Sequence, residues 1–142
     1  MTDREYAVSR LTGDATCVLV RGLTVLTATA RGIRPMMEWI ASGIDLSGFS
    51  VADRIVGKAA ALLFLKAGIV SVYGETMSAT AADLLYVNHI PFACSTLTTS
   101  IINRAGTGPC PMEAAVADIS DPDAAYITLG EKVKAMRERG TF

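Results

Sequence analysis

The sequence is poor in the residues that familiar catalytic and metal sites require. Its 142 residues include one histidine, three cysteines and only 6% aromatic residues. The histidine, His89, lies beside Pro91 at the predicted end of a helix, where a capping role explains it. One histidine supplies neither a multi-histidine metal centre nor a Ser-His-Asp hydrolase. Cys17, Cys94 and Cys110 are odd in number and widely spaced, which argues against a disulfide framework and against a thiolate zinc site.

An excess of charge of either sign is also missing. Thirteen Lys and Arg residues balance 14 Asp and Glu residues, so the formal net charge is -1. Such a balance disfavours a nucleic-acid polymer as partner, because few cations are left over to displace counterions from phosphates. With 51% hydrophobic residues the chain is too apolar to be disordered. Its length predicts a single domain spanning residues 1–142.

The longest stretch without a charged residue, residues 84–103, is too polar to cross a membrane. Pro91 and several Asn, Ser and Thr residues interrupt it. The first residues, Met-Thr-Asp-Arg-Glu-Tyr, do not have the apolar run of a secretory signal. We therefore expect a cytoplasmic protein with no membrane partner.

Residue patterning predicts an α/β fold. Thr2 and Glu5 have the spacing of a capping box, and two β-branched runs, residues 15–20 and 23–29, flank a turn at Arg21-Gly22. Further elements are expected in this order: a short helix ending at Gly43, a strand at residues 69–73, a helix at residues 78–87, a strand at residues 92–97 and a helix from Asp121-Pro122 onward. The expected architecture is a three-layer α/β/α sandwich whose mixed sheet begins with a hairpin.

The clearest helix in this scheme is predicted over residues 51–67. Ser50 and Asp53 have the spacing of an amino-terminal cap, and Gly68 is a typical carboxyl-terminal residue. Apolar residues cover most of the helical wheel, which leaves Arg54 and Lys58 on one polar stripe. These two cations near a helix amino end are candidates for holding a phosphate or carboxylate. The alternative is structural: Asp53 caps the helix, and Lys58 extends its ammonium group from a buried helix.

A second candidate segment is residues 103–113, Asn-Arg-Ala-Gly-Thr-Gly-Pro-Cys-Pro-Met-Glu. Pro111 suits the first position of a helix, so Cys110 is its predicted cap and Glu113 its third residue. A cysteine at this place feels the helix dipole, which favours the reactive thiolate, and Arg104 adds positive charge. The alternative is a helix that starts after a glycine-rich turn, with Cys110 as a small buried residue.

Several of these runs resemble an uncharacterised bacterial and archaeal family, catalogued as a domain of unknown function. The runs that carry the resemblance are residues 52–62, Val72-Tyr73 with Met77-Ser78, and Asn103-Arg104 with Cys110-Pro111-Met112-Glu113. The resemblance covers the chain from about Ala15 to Met136. It implies a cytidine deaminase-like fold, a three-layer α/β/α domain with an opening hairpin.

The resemblance does not imply zinc chemistry. Zinc deaminases place a His or Cys, followed two residues later by Glu, at one helix start and two cysteines at the next. The corresponding helix starts are expected near Asp53 and near residues 76–80, where no such ligands occur. Other branches of the fold work without this zinc, one transferring a formyl group with Lys and His and another handling sulfur with a loop cysteine. These branches direct interest to Lys58 and Cys110.

The hypothesis from sequence is a zinc-free domain that binds a small polar or anionic ligand, nucleotide- or nucleobase-like, without a cofactor. Its pocket would lie over the helix amino ends near Asp53 and Ser78, closed by residues 103–113. The predicted ligand-binding residues are Asp53, Lys58, Ser78, Asn103, Arg104, Thr107 and Glu113. One alternative is a cysteine-dependent transferase or sulfur-handling enzyme in which Cys110 is catalytic. Another is a non-catalytic structural or oligomerising scaffold, and a homodimer is left open.

Overall fold

The computed structural model describes residues 1–103, 105–108 and 110–140. Six helices and five strands are found in this part of the chain. In order, they are α1 (Asp3–Arg10), β1 (Cys17–Arg21), β2 (Thr24–Ala28), α2 (Arg34–Ala41), β3 (Ser50–Val56), α3 (Lys58–Ala67), β4 (Ser71–Ser78), α4 (Ala79–Val87), β5 (Phe92–Thr98), α5 (Pro111–Ala115) and α6 (Pro122–Glu138). None of the described helices is long and apolar enough to cross a membrane.

The strands form one five-stranded mixed sheet in the order β2-β1-β3-β4-β5. β1 pairs antiparallel with β2 and with β3, whereas β3, β4 and β5 run parallel. The opening hairpin is confirmed, and Gly22 provides the positive φ of 60° that its turn requires. In this parallel half, the carboxyl ends of β3, β4 and β5 lie at the same end of the sheet.

The predicted helix over residues 51–67 is wrong in its first half. Residues Ser50–Val56 form β3, and the helix begins only at Lys58 after Gly57. A strand buried on both faces has no alternating pattern, so its apolar run cannot be told from a buried helix by periodicity. As a consequence Arg54 and Lys58 do not share a helical stripe, because Arg54 lies on β3 and ion-pairs with Glu75 of β4.

The other predicted helix ends are confirmed. Thr2 and Glu5 form the capping box of α1, and Asp121 caps α6 with Pro122 in its first turn. Gly68 ends α3 in the left-handed conformation with a φ of 80°. His89 follows the end of α4 with a φ of 59°, consistent with a residue that terminates the helix.

Helices cover both faces of the sheet, but unevenly. On one face a small cluster of buried side chains joins α1 to β1 and β3, including Ala7, Val18 and Ala52. On the other face a much larger cluster joins the sheet to α2, α3, α4, α5 and α6, with Phe64 and Leu129 in its interior. The predicted α/β architecture with a mixed sheet is therefore confirmed.

Candidate functional site

A cleft of about 460 Å³ lies at the carboxyl ends of the parallel strands. Its lining residues are Lys58, Ser78, Thr80, Thr99, Ser100, Ile101, Glu113, Ala114 and Ala117. Lys58 begins the helix after β3, Ser78 ends β4, and residues 99–101 directly follow β5. Open α/β sheets commonly bind ligands at the carboxyl ends of their strands, because loops and helix amino ends come together there.

The amino end of α3 is already occupied by a carboxylate of the protein itself. Glu113 accepts hydrogen bonds from the backbone N–H groups of Lys58 at 2.7 Å and Ala59 at 2.8 Å. Gly57 makes this approach possible, since a Cβ atom at that position would overlap the Glu113 carboxylate. Glu113 therefore satisfies two backbone donors that an α-helix leaves unpaired at its start.

The side chain of Lys58 binds the carboxyl end of α5. Its Nζ donates a 2.9 Å hydrogen bond to the carbonyl oxygen of Ala117, one residue past the cap of that helix. Glu113 in the first turn of α5 and Ala117 beyond its last turn are thus both bound by α3. These three hydrogen bonds hold α5 as one wall of the cleft.

The serine and threonine side chains form a different wall. Ser78 caps α4, where its Oγ accepts from the N–H of Ala81 at 3.1 Å, and its side chain is buried. The hydroxyl-bearing residues Thr80, Thr99 and Ser100 are exposed. A hydroxyl both donates and accepts hydrogen bonds, so this side of the cleft can pair with carbonyl, amide or amine groups of a ligand.

Asp53 is not part of this cleft lining. It lies inside β3 opposite Cys17 of β1 and is only 6% exposed. Burial raises the pKa of Asp53 from its ordinary value of 3.8 to about 7, and hydrogen bonds from the Arg54 and Ile55 N–H groups and the Cys17 thiol partly offset this. The same burial, together with Asp53, raises the pKa of the Cys17 thiol well above its ordinary value. Asp53 is a core carboxyl group with no direct access to the cleft.

The remaining predicted site residues also lie outside the lining. Asn103 and Thr107 bond to each other across an exposed turn, through Thr107 N to Asn103 Oδ1 at 3.0 Å and Asn103 Nδ2 to Thr107 Oγ1 at 3.2 Å. Cys110 occupies the N-cap position of α5 as predicted, but its side chain makes no capping hydrogen bond among the described residues and is half-buried against the main core. Arg104 lies outside the described residues. The structure therefore places Lys58, Ser78 and Glu113 in the cleft lining, whereas Asp53 and Cys110 are not part of it.

A metal centre is not formed by the residues that the structure describes. In residues 1–103, 105–108 and 110–140, no three His, Cys, Asp or Glu side chains are close enough together to hold an ion. The corrected start of α3, at Gly57 and Lys58, also offers no zinc ligand.

The family described as TM1506, domain of unknown function (DUF1893), matches residues 10–133. The chain belongs to the DUF1893 family. None of the curated proteins matches it in sequence. The crystal structure of a DUF1893 family protein (TM1506) from Thermotoga maritima is similar to this fold, with a TM-score of 0.82. The two chains are 23% identical over 90% of this chain and 88% of the other, which supports a shared fold and nothing finer.

Two features of this DUF1893 chain were not predicted from its sequence. The hydroxyls of Thr80, Thr99 and Ser100 line the cleft, and a Ser/Thr-rich run after a predicted strand was the available signal. The second is the contact between Gly57 and Glu113, residues 56 positions apart in the sequence. Gly57 could be noticed because a glycine directly precedes the helix, but no local pattern in the sequence indicated that Glu113 is its partner.

Proposed function

We propose that the protein binds a small, uncharged polar molecule, nucleobase- or nucleoside-like, in the cleft over the carboxyl ends of β3, β4 and β5. The observation that carries the proposal is the composition of the cleft. Hydroxyl-bearing side chains from α4 and the segment after β5 converge on a space of about 460 Å³, within the range of about 300–1,000 Å³ typical of ligand sites.

An uncharged ligand fits better than a phosphate because a carboxylate of the chain already occupies the helix amino end at this cleft. Glu113 occupies the amino end of α3, which would otherwise attract an anion. The ammonium group of Lys58 keeps its charge, but it is held at the end of α5 by the carbonyl oxygen of Ala117. A phosphate entering here would meet the Glu113 carboxylate, whose negative charge would repel it.

The lining also suits a flat ring. Ile101, Ala114 and Ala117 provide apolar surface next to the hydroxyl groups of Thr80 and Ser100. Ring faces pack on apolar side chains, while hydroxyls bond to the polar ring edge. This combination favours a base or a nucleoside over a sugar alone.

We further propose that the domain is a zinc-free member of the cytidine deaminase-like fold. The opening hairpin, the mixed sheet and the helices that connect its parallel strands support this relationship. The residues at the starts of α3 and α4, Lys58 and Ala79, carry no zinc-ligand chemistry. The proposal is therefore one of binding, and it assigns no reaction to the fold.

A structural role is the second candidate, and the hydrogen bonds within the chain favour it. Lys58, Ser78 and Glu113 each bond to the fold itself, as caps and ties would. In that case the cleft would be only the space left between α5 and the strand ends.

A thermal-shift and calorimetry panel of nucleobases, nucleosides and nucleoside monophosphates separates the two candidates. We expect at least one base or nucleoside to stabilise the protein, with no gain from its phosphate. Thr80→Val and Ser100→Ala should weaken that binding about fivefold each, since each removes a hydrogen bond worth about 1 kcal/mol. Thr27→Val on the distant strand β2 is the matched control and should bind normally. No stabilisation by any base or nucleoside would refute the binding proposal and favour the structural role.

A further inference from the structure

The strand β5 forms one edge of the sheet, and the residues in its middle are exposed. It is paired with β4 alone among the described strands, and α4 is the helix packed beside it. Three consecutive residues of β5, Ser95, Thr96 and Leu97, are exposed, and Leu97 reaches 60%. An edge of this kind presents backbone N–H and C=O groups that can pair with a strand of another chain.

The sequence of β5 has none of the usual residues that keep an edge strand unpaired. Proteins commonly protect such edges with lysine and other charged side chains, or with proline inside the strand. Phe92–Thr98 contains neither a charged residue nor a proline, and it lies within the uncharged stretch of residues 84–103. Since this stretch is too polar to span a membrane, its lack of charged residues has another cause.

Exposed apolar side chains are concentrated in the same stretch. Tyr86 and Val87 on α4, Leu97 on β5 and Ile102 beyond it are all exposed, Tyr86 at 74%. The opposite edge strand, β2, is shorter and the apolar side chains within it are half-buried, with the fully exposed Leu23 in the turn before it. Exposed apolar surface beside an open strand edge is typical of an interaction site.

We propose that β5 pairs antiparallel with β5 of a second copy of this chain, about a twofold axis through the middle of the strand. A twofold axis sets the strand against its own sequence, so a charged residue near the axis would lie close to its own copy and repel it. β5 carries no such charge, and its Ser and Thr residues form favourable cross-strand pairs. The five-stranded sheet of each copy then continues into one sheet across the dimer.

The variant Thr96→Lys tests this proposal by placing a charge on the open edge. Sedimentation and light scattering should give about twice the chain mass of 15.0 kDa for the wild type at high protein concentration, and a single chain mass for Thr96→Lys. Thr27→Lys makes the same change at an exposed position of β2, so it should remain dimeric. Thr96→Glu alone should also be monomeric, whereas an equal mixture of the Lys and Glu variants should recover the dimer.

Amide hydrogen exchange of the wild type supplies a second measurement that needs no variant. Backbone amides of β5 should exchange more slowly at concentrations where the dimer forms, because their outward N–H groups become bonded. A wild type that stays at the single-chain mass from micromolar to millimolar concentration would overturn the proposal. It is equally overturned if Thr27→Lys dissociates the dimer as fully as Thr96→Lys, or if β5 exchange does not depend on concentration.

Discussion

Replacing Asp53 by Asn should abolish a specific pH dependence of the protein's stability. Asp53 is buried between β1 and β4, and its burial raises the pKa of the carboxyl group to about 7. The folded protein therefore keeps the Asp53 proton up to near neutral pH, whereas the unfolded chain releases it near the ordinary value of 3.8. Between these two values the folded state binds more protons, so the free energy of unfolding falls as the pH rises.

The size of this effect follows from the two pKa values. Their separation, from 3.8 to about 7, corresponds to about 4 kcal/mol in total, at 1.36 kcal/mol per pH unit. The contribution is full below the unfolded value and is lost as the pH rises through the folded value. Between about pH 5 and about pH 8 the wild type should therefore lose about 3 kcal/mol of stability through this group.

Urea unfolding followed by the fluorescence of the single tryptophan, Trp39, measures the change directly. Asp53→Asn cannot ionise at this position, so it should lose much less stability than the wild type between these two pH values. Asp45→Asn is the control, because Asp45 is an exposed carboxyl group whose pKa is lowered by hydrogen bonds from Ser47. This control should behave like the wild type. Equal pH dependence in the wild type and Asp53→Asn would refute the argument that Asp53 is held in a dry core.

Three further predictions concern contacts and burial within the fold. Gly57→Ala should destabilise the protein by about 1–3 kcal/mol, because the new Cβ displaces Glu113 from the amino end of α3. In a Glu113→Ala background the same change should cost much less, and additive costs in the urea unfolding of the single and double variants would contradict this contact. Ser78→Ala should cost about 1 kcal/mol through loss of the α4 cap, whereas Ser78→Thr, which keeps the hydroxyl, should lose less; equal losses in thermal unfolding would argue against a capping role. Cys17 should stay unlabelled by thiol reagents until the protein unfolds, while the partly exposed Cys94 and Cys110 react in the folded state, as peptide mass analysis will show. Native labelling of Cys17 would contradict its burial.

Local signals predicted much of the fold correctly, because they depend on short-range chemistry. The Thr2 and Glu5 capping box, the Gly22 turn and the Asp121-Pro122 helix start each involve residues within three positions of one another. Such patterns are visible in sequence because the backbone groups they satisfy are adjacent.

The prediction failed where tertiary burial decides the structure. The run Ser50–Val56 is a strand because it is paired on both sides, by β1 and β4, and no periodicity in its sequence reveals these partners. Placing Asp53 on a helix start made it a candidate ligand-binding residue, whereas as part of a central strand it lies in the core.

The candidate site was predicted in part for a related reason. Lys58, Ser78 and Glu113 were expected to lie near helix starts, and the structure places all three in one cleft. Their mutual contacts were not predictable, because the bond between Glu113 and α3 joins residues far apart in sequence. A helix amino end attracts anions, but it is not an open anion site when a carboxylate of the same chain already occupies it, as Glu113 does at α3.

A titration of the isotope-labelled protein followed by amide NMR signals tests the central claim most directly. The probes are free nucleobases, nucleosides and their monophosphates, added one at a time to the wild type. The account predicts saturable shifts for a base or nucleoside at residues around the cleft, including Thr80, Thr99 and Ser100, and no tighter binding of the monophosphate. Saturable shifts confined to other surfaces, tighter binding of the monophosphate, or no saturable shift with any base or nucleoside would contradict it.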